Sequence, residues 1–176
     1  MKLLLIVDDY LPHSIKVGAK MMHDLALEFK SQGHEVSVLT PNSSQKEKLV
    51  IDHIDGVRVL FFRSGKIKNI SKIRRAINES LLSLYAWNAA KKYLKKHSFD
   101  GIVYYSPSIF FSGLVKKLLN IYKCKSYLIL RDIFPQWAVD NGLIKANSLI
   151  NKYFKYFEKK NYCYANTIGV MSPSNL

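Results

Sequence analysis

The stretch YLILRDIFPQW, residues 127–137, places four apolar or aromatic residues directly before a charged pair. A short uninterrupted run such as Tyr127 to Leu130 is typical of a strand that is buried on both faces of a parallel sheet. Arg131 and Asp132 then stand at the end of that strand, where charges must be paired, solvated or functional. The stretch therefore predicts both a type of sheet and a position for a site.

The chain contains five more runs of this kind, namely LLLIV (3–7), VSVL (36–39), VRVLFF (57–62), GIVYY (101–105) and TIGVM (167–171). Helical periodicity separates most of them, so the sequence predicts an α/β fold with a doubly wound, Rossmann-like parallel sheet in the strand order 3-2-1-4-5-6. Ligands of such sheets bind beyond the carboxyl ends of the strands, where the winding reverses. This rule brings together the loops at 8–18, 106–108 and 132–137.

Three other segments give predictions about the organisation of the chain. Residues 70–97 keep the apolar spacing of one long helical segment, whereas residues 41–49 are polar and expected to be mobile. Ser172 followed by Pro173 has the pattern of a helix start. We therefore expect residues 1–176 to form one domain and a second domain to follow it.

The first loop, DDYLPHSIKVGAK (8–20), leads into a predicted helix. Backbone N–H groups at a helix N-terminus attract anions, so Gly18 and the charge of Lys16 are candidates for binding a phosphate or another part of a substrate. An ordinary strand-to-helix connection explains the same residues equally well. His13 in this loop is a candidate for contact with a substrate or a membrane.

The loop after the fifth predicted strand supplies the candidate catalytic residues. Asp132 is predicted to act as a base or to orient the substrate, and Arg131 to hold a phosphate or to balance Asp132. A structural ion pair between the two is the alternative. Phe134-Pro135 and Trp137 either form an apolar rim for a sugar or lipid or pack the loop down.

Two serines follow the fourth predicted strand. Ser106 and Ser108 flank Pro107, and their hydroxyl groups and amides are candidates for contact with a substrate. The alternative is that they provide the N-cap of the following helix.

The charge balance points to an anionic partner. The chain has 27 Lys and Arg against 13 Asp and Glu, a net charge of +14, which favours phosphate, nucleic acid or an acidic membrane surface. Lys68, Lys72 and Arg75 share one helical face close to a predicted helix N-terminus, where the helix dipole disfavours cations. An anionic membrane or nucleic acid accounts for that placement, and a solvated basic face is the alternative.

Cysteine and histidine usage predicts neither a metal site nor a disulfide framework. The two cysteines have no partner motif, and the five histidines have no ligand spacing. The N-terminal apolar run is too short for a signal peptide, and no run is long enough to span a bilayer. We expect a cytoplasmic protein that is peripheral to a membrane.

Several motifs in chain order resemble the N-terminal half of family 4 glycosyltransferases of the GT-B fold. The matching stretches are LLLIV (3–7), YLPHSIKVGAK (10–20), QGHEVSVLTP (32–41), DGVRVLFF (55–62), GIVYYSPS (101–108), LILRDIFPQW (128–137) and IGVMSPSN (168–175). RDIFPQWAVDNGLI (131–144) is in particular similar to a subgroup that includes O-antigen N-acetyl-L-fucosamine transferases.

The resemblance implies a retaining transfer of a sugar from a nucleotide diphosphate without a metal or other cofactor. This half would bind the acceptor, a sugar on a polyprenyl diphosphate in O-antigen or related polysaccharide synthesis. The acceptor would lie at the cytoplasmic face of the inner membrane, and the second domain would hold the nucleotide. The candidate residues keep the roles given above, with His13, Lys68, Lys72, Arg75 and Trp137 contacting the acceptor or the membrane.

Two departures from the family pattern stand in this chain. Val17-Gly18 replaces a pair of glycines, and Arg131 stands where many members have a histidine. A histidine can accept a hydrogen bond and an arginine can only donate, so a different sugar, such as a deoxy sugar, would suit this chain.

Two alternatives of other classes remain open. Asp8 and Asp9 after the first strand resemble the magnesium ligands of receiver-like signalling domains, although the lysine that such domains need after the fifth strand is missing. A basic Rossmann-like module that binds nucleic acid would also explain the charge, but it needs a groove of stacking aromatic residues that the sequence does not show.

Overall fold

The computed structural model describes residues 1–66 and 70–172, with the backbone alone at Lys72 and Ile73. Its strands are β1 (Lys2–Ile6), β2 (Glu35–Asn42), β3 (Leu49–Ile54), β4 (Val57–Arg63), β5 (Gly101–Ser106), β6 (Lys125–Leu130) and β7 (Thr167–Val170). Its helices are α1 (Val17–Ser31), α2 (Lys72–Ser80), α3 (Leu82–Lys96), α4 (Ser112–Tyr122), α5 (Gln136–Asp140) and α6 (Leu149–Cys163).

The seven strands form one sheet in the order β3-β4-β2-β1-β5-β6-β7. All neighbouring pairs are parallel except β3 and β4. The six predicted strands therefore lie in the predicted order, and the doubly wound α/β fold is confirmed. The winding reverses between β1 and β5, which puts the carboxyl ends of β1, β5 and β6 side by side.

Two apolar cores explain why the strands read as continuous apolar runs. Leu4 and Ile6 of β1 point into one core together with α3 and α4, whereas Leu3, Leu5 and Val7 point into the other together with α1. All five side chains are buried. Burial on both faces removes the polar alternation that a one-sided strand would show.

The prediction that all six strands are buried on both faces is wrong for β6 and for the edge strand β7, whose residues are exposed or half-exposed. In β6, Leu128 and Leu130 are buried, but Tyr127 is 41% exposed and Ile129 is partly exposed. The prediction that the stretch at 127–130 is buried on both faces is therefore wrong for one face. The described helices α3, α4 and α6 pack on the side of the first core, and α1 covers the opposite face near β1 and β2 rather than β6.

Strand β3 is absent from the predicted set. Its residues are largely exposed, so it lacks the buried apolar run by which the other strands were found. The turn Asp55-Gly56 has positive φ at both residues, as a type I′ hairpin turn requires. This Asp-Gly pair was the sequence signal for the hairpin.

The polar segment predicted at 41–49 is shorter in the structure. Pro41 and Asn42 belong to β2 and Leu49 to β3, so only residues 43–48 connect the two strands. The side chain of Gln45 donates a hydrogen bond to the carbonyl of Phe61 at 2.8 Å, which ties this connection to β4.

The predicted helical segment at 70–97 is divided. Leu81 separates α2 from α3, with its ψ close to zero. The Ser80 hydroxyl donates to the Ala76 carbonyl at 2.6 Å, a back-bond that bends helices. The predicted helix start at Pro173 lies outside the described residues.

Candidate functional site

The three predicted loops converge on one crevice at the carboxyl ends of β1, β5 and β6. The crevice encloses about 210 Å³. It is lined by Asp8, Asp9, Lys16, Val17, Gly18, Ala19, Tyr105, Pro107, Arg131 and Asp132. The expectation that these loops meet is therefore correct, because the reversal of winding places their strands next to one another.

An ion pair occupies the β1 side of the crevice. Lys16 Nζ lies 2.6 Å from an Asp9 carboxylate oxygen. This hydrogen bond raises the pKa of Lys16, so the lysine stays charged. Its charge is already balanced by a carboxylate, and an incoming phosphate would have to share it with Asp9.

Asp8 adds a second carboxylate directly beside this pair. Burial, and next the neighbouring Asp9 carboxylate, raise the pKa of Asp8 to about 6. From the sequence, Asp8 and Asp9 were candidates only for the magnesium ligands of a receiver domain. Their position right after a buried strand, at the predicted switch point, was the signal that they line the crevice.

Arg131 reaches across the crevice towards α1. Its Nη1 donates to the Tyr105 hydroxyl at 3.2 Å and lies 3.3 Å from Met21 Sδ. The hydrogen bond to Tyr105 is the main reason why the pKa of Arg131 is raised. No nitrogen of Arg131 lies within 4.0 Å of an Asp132 carboxylate oxygen in the described structure, so the alternative of a structural ion pair is not realised.

The position of Gly18 depends on the same tyrosine. A Cβ atom at Gly18 would lie 3.0 Å from the Tyr105 hydroxyl oxygen and 3.3 Å from its ring, closer than side chains normally pack. The glycine therefore lets Tyr105 come near enough to α1 to accept the hydrogen bond from Arg131. Gly18, a candidate for anion binding from its place in the sequence, thus also has a packing role.

Asp132 stands exposed between two cavities. It lines the crevice and also a wider groove of about 570 Å³ formed with Ile133, Gln136, Trp137 and Asp140. Its backbone carbonyl accepts a hydrogen bond from the buried Ser106 hydroxyl at 3.3 Å. This hydrogen bond from Ser106 fixes the backbone of the loop, and the Asp132 carboxylate remains available to a ligand.

The crevice carries three carboxylates, on Asp8, Asp9 and Asp132, and two cations, on Lys16 and Arg131. The crevice is therefore less positive than the predicted anion-binding site. That prediction was based on the helix N-terminus and Lys16 and did not include the neighbouring aspartates. Hydroxyl groups are suitable partners for carboxylates, since carboxylates accept hydrogen bonds.

Ser108 lies next to the crevice but does not line it. It is buried, and its hydroxyl has no hydrogen-bond partner within the part of the chain that the structure describes. The alternative that the two serines cap the next helix is wrong, because α4 begins only at Ser112. Ser83 of α3 supplies the missing acceptor, since its hydroxyl receives the Leu114 amide at 3.1 Å.

The remaining candidates lie outside the crevice. His13 is exposed, and its ring packs edge-on against Phe61 at 5.0 Å between centroids. Arg75 pairs with Glu79 on the surface of α2 at 2.8 Å. Lys68 and the side chain of Lys72 lie outside the described residues.

Trp137 borders the wider groove rather than the crevice. It is 44% exposed at the start of α5 and packs against Phe134 at 5.9 Å between ring centroids. Phe134 packs in turn against Phe154 of α6 at 4.9 Å. Phe134 therefore packs the loop down, and Trp137 borders the groove; its contact with a sugar or lipid stays a prediction.

Residues 1–66 and 70–172 contain neither a membrane-spanning helix nor a cluster of metal ligands. No helix there is both long and apolar enough to cross a bilayer. No group of three His, Cys, Asp or Glu side chains is arranged to hold a metal ion there.

Comparisons with known proteins give structural matches alone. No family model matches the chain, and no curated protein sequence matches it. Among solved structures, sucrose-phosphate synthase from Thermosynechococcus elongatus matches with a TM-score of 0.61 and 14% identity, over 99% of this chain and 78% of that one.

Two further matches cover smaller shares of their own chains. The catalytic domain of starch synthase IV from Arabidopsis thaliana, bound to ADP and acarbose, matches with a TM-score of 0.56 and 14% identity, over 74% of this chain and 34% of that one. A UGT transferase from Siraitia grosvenorii in complex with UDP matches with a TM-score of 0.53 and 13% identity, over 100% and 46%. The chain thus spans less than half of each of these two proteins. Its fold is the Rossmann-like fold found in GT-B glycosyltransferases.

Proposed function

We propose that the chain is the acceptor-binding part of a retaining glycosyltransferase. The donor is a nucleotide diphosphate sugar, and the acceptor is a sugar on a polyprenyl diphosphate in O-antigen or related surface polysaccharide synthesis. The protein acts at the cytoplasmic face of the inner membrane. The fold that it shares with glycosyltransferases supports sugar transfer in general, and ADP and UDP in two of the matched structures support a nucleotide donor.

One observation carries the proposal: Asp132 stands exposed at the end of β6, between the crevice and the wider groove. A carboxylate in that position accepts a hydrogen bond from an acceptor hydroxyl and orients it for attack. Arg131 stands beside it, held by Tyr105, and can hold a diphosphate without neutralising Asp132.

The crevice is small enough to be one side of a cleft that a second domain completes. Its volume of about 210 Å³ is below the roughly 300–1,000 Å³ of pockets that enclose a ligand. A second domain facing the carboxyl ends of the strands would close the cleft and bring the nucleotide. We therefore expect residues 1–176 by themselves to transfer no sugar, and detectable transfer by them would contradict this division of roles.

The test uses the full-length protein with a polyprenyl-diphosphate-linked sugar and a panel of nucleotide sugars. Asp132→Asn is expected to lower turnover about 100-fold or more, as for loss of a positioned acid–base group, with an unchanged circular dichroism spectrum. Asp52→Asn, an exposed carboxylate on β3, is the matched control and should leave turnover unchanged. Equal kinetics for Asp132→Asn and the wild type would remove Asp132 from the site.

The net charge of +14 also favours nucleic acid as a partner. A comparison of anionic vesicles with duplex and single-stranded nucleic acid at physiological salt separates the two functions. Preferential binding to nucleic acid would replace the proposal, and binding to vesicles alone would exclude the nucleic-acid alternative. A magnesium titration that leaves Asp8 and Asp9 unaffected would exclude the receiver-like alternative in the same way.

A further inference from the structure

Helix α6 exposes four large apolar or aromatic side chains to solvent. Leu149 is 83% exposed, Ile150 59%, Tyr156 54% and Tyr153 43%. The helix packs on the fold through Phe154 and its neighbours, and the rings of Tyr153 and Tyr156 contact this cluster yet stay about half-exposed. Exposure of that much apolar surface within two turns of one helix marks a site of interaction.

Positive charge accompanies this apolar surface. Lys152, Lys155 and Lys159 are exposed along the same helix, and Lys160 stacks over the Tyr156 ring at 4.3 Å. The acidic residue of α6, Glu158, is half-buried and accepts a hydrogen bond from Tyr162, so it does not offset the lysines at the surface. The partner of this face must therefore be both apolar and anionic.

A continuous series of aromatic rings joins this face to the wider groove. Starting from Trp137, successive rings contact one another at 4.9–5.9 Å between centroids. The series runs Trp137, Phe134, Phe154, Tyr153, Phe157 and Tyr156. Packed aromatic rings thus link the exposed side chains of α6 to Trp137 at the border of the groove that contains Asp132.

A basic helix borders the same face. The hydroxyl groups of Ser80 and Tyr153 lie 2.5 Å apart, which fixes the end of α2 beside α6. Arg74 and Arg75 are exposed on α2. Although Arg75 is paired with Glu79, these arginines extend the positive surface beyond α6.

We propose that the α6 face, defined as Leu149, Ile150, Lys152, Tyr153, Lys155, Tyr156 and Lys159, docks on a bilayer that contains anionic phospholipid. Leucine and isoleucine enter the boundary of the acyl chains, tyrosines lie at the headgroup level, and lysines contact anionic headgroups while their stems lie along the apolar surface. A protein partner would need a surface that is both apolar and anionic at the matching positions. An anionic bilayer offers an apolar interior and negative headgroups at every point of its surface.

This inference extends the proposed function and rests on its statement that the acceptor is attached to a lipid. If the acceptor is attached to a lipid, docking by α6 brings the bilayer to the end of the groove at Trp137. The lipid tail then passes from the groove into the membrane without crossing water, while the sugar stays at Asp132. A soluble acceptor would have no use for such a surface.

The test measures binding to vesicles of phosphatidylcholine, with and without phosphatidylglycerol, by co-sedimentation. We expect the wild type to bind the anionic vesicles. Lys152→Gln, Lys155→Gln and Lys159→Gln combined should weaken this binding at least tenfold, because each lysine near an anionic surface contributes about fivefold in affinity. Leu149→Ser combined with Ile150→Ser should also weaken it at least tenfold.

A matched control removes the same charge from another helix. Lys91, Lys92 and Lys96 are exposed on α3, and their combined replacement by glutamine should weaken binding less than threefold. Equal losses for the α3 and α6 variants would show that net charge alone acts and would overturn the proposal. Wild-type binding that is absent, or self-association through α6 without vesicle binding, would overturn it as well.

A second measurement separates this proposal from the proposed function. The α6 variants should bind a water-soluble, short-chain prenyl diphosphate sugar as well as the wild type does. In the wild type, normal binding of that acceptor without binding to vesicles would refute docking by the α6 face and leave the acceptor site in the crevice standing. Binding of the wild type to vesicles without binding of the acceptor would refute the acceptor site and leave docking by the α6 face standing.

Discussion

At the scale of single residues, Gly18 and Tyr105 set the position of Arg131. Gly18→Ala gains helix propensity but forces Tyr105 to move, because the new methyl group would lie 3.0 Å from its hydroxyl oxygen. Gly113→Ala in α4 makes the same gain with an ordinary contact of 3.4 Å to Ser83. Urea denaturation should show a gain of about 0.5–1 kcal/mol for Gly113→Ala and a smaller gain or a loss for Gly18→Ala. Equal gains would contradict the close approach.

Asp8 gives the crevice a defined pH dependence. Since its pKa is raised from 3.8 to about 6 in the folded state, the folded state binds the proton more tightly. The resulting stability is present below pH 3.8 and is lost as the pH rises through 6. Asp8→Asn should therefore raise the free energy of unfolding by up to about 3 kcal/mol at pH 7 and by little at pH 3.5. An equal effect at both pH values would show that its carboxyl group has an ordinary pKa.

At the scale of elements, the contacts of α6 include a buried amide. Asn161 is 0% exposed, and neither polar atom of its side chain has a hydrogen-bond partner in the described parts of the chain. Asn161→Leu should raise the free energy of unfolding by about 1–3 kcal/mol, because an unpaired amide is removed from the core. Asn88→Leu, at an exposed position of α3, corrects for helix propensity. A loss of stability would mean that the amide has a partner, such as buried water.

Short apolar runs were sufficient to locate six strands, and their order followed from the topology rules for parallel sheets. Four of these strands are buried on both faces, whereas β6 is partly exposed on one face and β7 is largely exposed. The exposed strand β3 has no such run, and the division at Leu81 lies within an apolar spacing that continues on both sides of it. The convergence of the three loops could be predicted because it follows from topology. The ion pair of Lys16 with Asp9 and the hydrogen bond of Arg131 to Tyr105 could not, because they depend on side-chain directions across different elements.

At the scale of the whole molecule, the two proposals assign different partners to two surfaces. The sugar acceptor is proposed to bind in the crevice and groove around Asp132, and the bilayer is proposed to bind at the α6 face. Salt should therefore release the protein from anionic vesicles, because exposed charges are screened, but should change binding of a soluble acceptor sugar less. Titration of both ligands across salt concentrations checks this, and equal salt sensitivity would contradict two separate surfaces.

The most direct test of the central claim maps amide chemical shifts while a short-chain prenyl diphosphate sugar is added to residues 1–176. We expect the largest changes in the loops at 8–18, 106–108 and 131–137, and we expect Asp132→Asn to reduce them. Changes centred elsewhere, or identical changes in Asp132→Asn, would contradict the assignment of this crevice as the acceptor site.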